Sequence, residues 1–415
     1  MELNRLKLRT EIIVLFLLIS SVYLGFYFNE DSSGGAIRDY NNQQKIVEAF
    51  SINFNDTILN YDKYLTRHSP ILIIFLSFLK NLGFNDEIIR LFHITFCLFL
   101  PLLFFKCLKL KFPNTSNKII YFLVGLIFIS PYFRSLAIWP DSRILGLTLF
   151  LLSVYFFLIF QNKKELKFAV YNTISLVLSS YVSPNFSVFV LFFLLFFFKA
   201  YGLNKNIFII IIINILLSLP ALYYLFILEV NFLTVEALKY TDEGIGRLNF
   251  ANKILIISSI IFFYLFPFFI TKMDNIYFSR KILWKIFFST LIFVICLYNF
   301  NYSNNLGGGG IFFKISYFIF NNNLLFYIIS FISLYCIISR IFNNYNDLLI
   351  WMILIASNIQ YSIYHKYYDL LIVFLFLFLF KGDIKLTHLD TKKITFIYFY
   401  FTSFLLLSFL KRLII

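Results

Sequence analysis

The chain has 415 residues, of which 60% are hydrophobic, 22% aromatic and only 14% charged. With a mean hydropathy of +0.82, that balance excludes both a soluble globular domain and a disordered chain, and it defines an all-α polytopic integral membrane protein. The net charge of +15 has meaning only through its distribution, because short loops rich in Lys and Arg stay on the cytoplasmic side.

Apolar runs occur at 11–28, 88–106, 118–133, 142–160, 168–182, 185–199, 207–228, 252–271, 284–299, 323–340, 347–360, 368–381 and 393–411. At roughly 20 residues per crossing they predict about 13 transmembrane helices. Arg5, Lys7 and Arg9 precede the first run, and "SVYLGFYFN" at its end offers Val, Tyr and Phe where the small residues of a cleavage site belong, so it reads as a retained anchor. A further run, "PILIIFLSFLKNLG" from Pro70 to Gly83, has the length of an interfacial helix rather than a crossing. If it stays on the outer surface, the basic segments Lys106–Lys118, Gln161–Lys167, Thr271–Lys281 and Lys381–Lys393 all fall on the side of the N-terminus, which is then cytoplasmic. If it crossed, the all-basic cluster Lys106, Lys109, Lys111 and Lys118 would lie outside, against the rule.

The consequence is a long external segment, 29–87, with Glu30, Asp31, Asp39, Glu48, Asp56, Asp62, Asp86 and Glu87 set against five basic residues. A carboxylate held near a bilayer either sits in water or does something. The second external loop, "SPYFRSLAIWPDSRILG", places Asp141 at the start of the next span, where an Asp also serves as a plain helix cap. Elsewhere the spans offer almost no ionisable residue apart from Lys106 and Lys314 near their ends. His93 reads as a packing residue, and the four cysteines, Cys97, Cys107, Cys296 and Cys336, as core thiols. "GGGG", Gly307 to Gly310, lacks the strand and Lys of a phosphate-binding loop and reads as a flexible external turn.

A long acidic first loop, a half-helix opened by "TRHSP", and a lone Asp in "WPDSR" together resemble the polyprenyl-linked membrane glycosyltransferases of the GT-C fold, the group of protein mannosyltransferases and aminoarabinose transferases. The match covers roughly residues 1–200 in order and spacing. The resemblance implies a GT-C-like catalytic module over 1–206, including the external loop 29–87 with its juxtamembrane helices, and variable transmembrane helices over 207–415. It implies catalytic roles for Asp39, Asp141 and Asp31, with the choice among Glu30, Asp31 and Asp39 left open, because the family's Asp-Glu pair is only approximated by Glu30-Asp31. The paired Pro of many members is reduced to Ser69-Pro70.

The expected reaction moves a sugar from a polyprenyl-phosphate donor to a lipid, glycan or protein acceptor at the external face of a bacterial inner membrane, with inversion and an Asp base. The lipid phosphate is a good leaving group, so the enzyme must chiefly deprotonate and orient an acceptor hydroxyl and offset the released charge. Arg67, Arg143 and Arg134 are the expected phosphate contacts, since planar guanidiniums suit phosphate oxygens. His68 is expected beside them, and His365 and Lys366 of "YHKYYD" at the mouth of a late span. Some relatives use a divalent cation between acids and others none; Asp39 and Asp141 serve either scheme. Nothing suggests nucleic acid. The rival readings are a flippase or transporter of lipid-linked substrates, which predicts ionisable residues within spans, and an O-antigen-polymerase-like protein, which predicts late loops rich in Arg.

Overall fold

A computed structural model describes residues 2–233, 249–271, 282–304, 307–358, 360–381, 384, 386 and 389–414. The basic segment 272–281 lies outside the described residues, as does part of 381–393. Every regular element among the described residues is a helix. Among the described residues, seven helices are long and apolar enough to cross a membrane, and an eighth is reached if the bent pair Asn117–Ile129 and Pro131–Ile138 is one span. The chain is a multi-pass helical membrane protein. Fewer helices have crossing length than the apolar runs predicted, because several runs fold as short pieces: Asn346–Ala356 has 11 residues and Leu371–Phe378 has 8. At 1.5 Å per residue, these reach only about 17 and 12 Å into a hydrocarbon layer of about 30 Å.

By internal contacts the chain forms two compact units, Met1–Tyr240 with Tyr398–Ile415, and Thr241–Ile397. The first contains α1 (Glu2–Tyr27), α2 (Ala36–Ile52), α3 (Phe54–Leu59), α4 (Pro70–Asn81), α5 (Asp86–Cys97), α6 (Phe99–Lys111), α7 (Asn117–Gly125), α8 (Pro131–Ile138), α9 (Ser142–Lys163), α10 (Leu166–Val182), α11 (Val190–Tyr201) and α12 (Lys205–Leu222). The bend of 63° before α8 has a local cause. Pro131 has no N–H to continue the preceding ladder, and Ser130 restarts the helix by accepting from Phe133 N at 3.0 Å.

The external segment builds its own small core. On α2 the residues Tyr40, Gln43, Ile46, Val47 and Phe50 are buried while Arg38, Asn41, Asn42, Lys45 and Glu48 are exposed, the spacing of an amphipathic helix. Its apolar face meets Leu72, Ile73 and Leu76 of α4, with Tyr61 and Val230 and Phe232 closing the cluster. The α4 start is set by Ser69, whose Oγ accepts from Ile71 N, followed by Pro70 in the first turn. Farther along, α9 and α10 approach so closely that a Cβ on Gly146 would lie 2.5 Å from Ser183 Cβ, and Ser179 donates to the Gly146 carbonyl at 2.7 Å.

The second unit holds α13 (Phe250–Ile270), α14 (Ile282–Tyr298), α15 (Gly310–Phe320), α16 (Leu324–Asn343), α17 (Asn346–Ala356), α18 (Leu371–Phe378) and the start of α19 (Thr391–Ile414). The four-glycine stretch is not the flexible turn its composition suggested. Gly309 N donates to Ile363 O at 2.8 Å and Tyr302 OH to Gly307 O at 2.6 Å. All four glycines have φ between +66° and +84°, and a Cβ on Gly308 would meet Ile363 O at 2.4 Å, so glycine is required there.

Arg90, Lys253, Lys285 and Arg340 are buried on helices, each within three residues of an end of its apolar run. The cysteines are free, with Cys97, Cys107 and Cys296 buried and Cys336 half-buried.

Candidate catalytic site

The loop "NEDSSGGAIRDY" separates its three acids into distinct tasks. Glu30 forms a buried, two-pronged pair with Arg134, whose Nε donates at 2.7 Å and Nη2 at 2.5 Å. Arg134 also binds Ser21 Oγ, Ser21 O and Phe128 O. Every one of those bonds ties it to α1 or to its own segment, so it acts as a brace. Asp31 is a cap. Its carboxylate accepts from Gly34 N, Gly35 N, Ala36 N and Ile37 N and from the Ser33 hydroxyl, at 2.9 to 3.4 Å, which satisfies the otherwise unpaired donors at the start of α2. A carboxylate with five such bonds has little capacity left for a substrate proton.

Asp39 is different. It sits in the first turn of α2, one turn past the cap, half-buried. There one carboxylate oxygen lies 3.9 Å from Arg143 Nη2. Asp141 arrives from the far end of the second loop as the N-cap of α9, accepting from Arg143 N at 2.8 Å, with Arg143 Nε 3.7 Å away. Both plain-cap and acid-cluster readings of Asp141 therefore describe real geometry. His68, just ahead of α4, completes the group: its Nδ1 is 3.2 Å from Ser142 Oγ. Ligand atoms of Asp39, His68 and Asp141 all lie within 4.8 Å of one another. Three segments far apart in sequence meet here.

The second loop is held in place by groups that the sequence did not single out. Trp139 Nε1 donates to Glu30 O at 2.9 Å. The Arg90 guanidinium stacks 3.5 Å from the centre of a Trp139 ring, and donates to Ile138 O at 3.2 Å and Asn29 Oδ1 at 2.9 Å. Arg90 thus fastens the end of α1 to the residues just before Asp141. Only the tryptophan beside "PDSR" signalled this, since an Arg inside an apolar run gives no hint of its partner.

Burial lowers the His68 imidazole pKa to about 4; the carboxylates of Asp141 and Asp39 pull it up, and Arg143 and Arg67 push it down. His68 is therefore neutral near pH 7 and adds no charge. The site then sets two carboxylates against the guanidiniums of Arg143 and the half-buried Arg67. Two carboxylates and an imidazole suit a divalent cation. Yet Arg143 already stands within ion-pair range of both acids, so the donors fit a metal only after that guanidinium is displaced, and no step below is routed through one.

His365 and Lys366 belong to the second unit. His365 is buried, accepts from Ile311 N at 2.8 Å and lies against Tyr264 and Phe263. Those bonds make it a brace for the glycine loop. Lys366 lies over the Tyr364 ring at 5.3 Å. His93, as its place in an apolar run suggested, is a packing residue, with Nδ1 2.9 Å from Ala137 O. No family model, no curated protein and no solved structure matches this chain.

Proposed function

We propose that the chain is a membrane glycosyltransferase that moves a sugar from a polyprenyl-phosphate donor to an acceptor hydroxyl, with a GT-C-like multi-pass architecture and its site on the external face of a bacterial inner membrane. The observation that carries this reading is the convergence of Asp39, His68, Asp141 and Arg143 from three separate segments. Asp39, the more exposed of the two acids, takes the acceptor proton as the acceptor oxygen bonds to the anomeric carbon. The bond from that carbon to the phosphate oxygen breaks on the opposite face, giving inversion, and polyprenyl phosphate leaves with the electron pair. Arg143 and Arg67 offset the charge of the departing phosphate. Asp141, buried and bonded to the Arg143 backbone, orients that guanidinium. Asp31 and Arg134 drop from the reactive set to structural roles.

The test is transfer by purified full-length protein from a panel of radiolabelled polyprenyl-phosphate sugars. Label appearing on an acceptor supports the reading; no product with any donor overturns it. A flippase or transporter of lipid-linked substrates is favoured by one observation, the buried Lys253, Lys285 and Arg340. Uptake or inversion of labelled polyprenyl-phosphate sugar in proteoliposomes without transfer is the result that would select it.

A further inference from the structure

The two acids of the site ride on separate elements, Asp39 on the first turn of α2 and Asp141 at the N-cap of α9. One side chain lies beside the neighbours of both. Trp139, two residues before Asp141, has a ring centre 5.7 Å from that of Tyr40, the residue after Asp39, with the planes inclined at 54°. Both aromatic residues are buried. The Tyr40 hydroxyl has no hydrogen-bond partner among the described residues, so its ring is held by packing.

Trp139 is itself anchored. Its Nε1 donates to Glu30 O, and the Arg90 guanidinium that lies over its ring also donates to Ile138 O and Asn29 Oδ1. The other contacts that hold α2 act farther from the acid. Ser32 Oγ donates to Pro131 O and Ser33 N to Ser135 Oγ, more than a turn ahead of Asp39, and the cluster with α4 holds the later residues Ile46, Val47 and Phe50. The Tyr40 contact is therefore the one placed to resist a rotation of the first turn, which would swing Asp39 away from Asp141. Displacing a reacting group by about 1 Å is enough to cost about a hundredfold in rate.

We propose that Trp139 is a positioning residue, which sets the spacing of Asp39 and Asp141 through its contacts with Tyr40 and Arg90 and touches no substrate itself. The effect on transfer rests on the glycosyltransferase reading, whereas the alignment of the two acids can be read without any sugar.

For the alignment, full-length protein with its four native cysteines replaced carries Asp39→Cys and Asp141→Cys, and the pair is bridged by a short bifunctional thiosulfonate. Ligand atoms of the two acids lie within 4.8 Å of one another, so this pair should bridge readily. Trp139→Leu removes the ring directly. Should it fail to fold, Tyr40→Leu and Arg90→Lys act on the same stack from its two partners, the lysine keeping the charge but losing the planar contact. Each variant should slow bridging by about tenfold and, with both acids present, cut transfer per folded molecule by about tenfold to a hundredfold. Tyr40→Phe keeps the ring and drops only the unbonded hydroxyl, so it should bridge and transfer as the parent does. Variants that melt lower but bridge and transfer normally would overturn the proposal, as would a loss in Tyr40→Phe equal to that in Tyr40→Leu, or a parent pair that does not bridge. A parent that transfers no sugar would overturn the glycosyltransferase reading instead, and the bridging rates would still decide the role of Trp139.

Discussion

Asp31 and Asp39 stand close together in the chain but are expected to answer substitution in different ways. Asp31→Ala removes the cap of α2 and should cost about 1–2 kcal/mol of stability, read as a lower melting midpoint. Asp39→Asn keeps hydrogen-bonding capacity but cannot take a proton. That variant should melt like the parent while transfer falls by about two orders of magnitude or more, the scale of losing a general base; near-parental turnover would return Asp39 to a surface role. Because Arg143 already answers both acids, transfer is also expected to persist in EDTA, and its loss with recovery on adding a divalent cation would show that Arg143 yields its place. His68 adds a pH signature. Its folded pKa of about 4, lowered by burial, lies below the usual value near 6.5 of an unfolded histidine. The unfolded chain therefore binds a proton that the folded one refuses, and stability from this residue, full above about pH 6.5, declines as the pH falls toward 4. His68→Gln should flatten that part of the decline, as measured by thermal midpoints across the interval.

At the scale of elements, legibility followed distance along the chain. The alternating faces of α2 and the Ser-Pro start of α4 were readable from neighbouring residues, because capping and amphipathic spacing act within one or two turns. The glycine loop was misread because the group that pins it, Ile363, lies in another segment. Asp39 and Asp141 could be expected near one another only through topology and resemblance, while the Arg90–Trp139 stack and the Glu30–Arg134 pair had no local signal. A comparison of two positive-φ glycines, Gly34 and Gly308, separates strain from crowding. A Cβ on Gly34 meets nothing within 4 Å, whereas on Gly308 it meets a carbonyl oxygen at 2.4 Å. Ala at either site carries the backbone penalty of about 1 kcal/mol, so Gly308→Ala should lower the melting midpoint distinctly more than Gly34→Ala. Equal effects would mean that the loop can shift away from Ile363.

For the whole molecule, the arrangement of faces rests on whether α4 crosses the bilayer. Its 12 residues span about 18 Å at 1.5 Å each, well short of a hydrocarbon core of about 30 Å. Its partner also argues against crossing: α4 packs on α2, whose other face exposes Arg38, Lys45 and Glu48, and Lys80 on α4 pairs with Glu48 at 3.1 Å in an exposed position. Taking that pair of helices into lipid would bury several charges without partners, at a few kcal/mol each, so the pair belongs at the surface. If α1 crosses and α4 does not, the span Asp86–Lys111 is the first return, and Lys106, Lys109, Lys111 and Lys118 are expected on the side of the basic N-terminus. A cysteine placed at Asn114, with the four native cysteines replaced, should then react with an impermeant maleimide only after the cell is opened, while one at Asn42 on the exposed face of α2 reacts in intact cells. Labelling of Asn114 from outside would mean that α4 crosses, and it would place Asp39 and Asp141 on a different face from the one proposed for transfer.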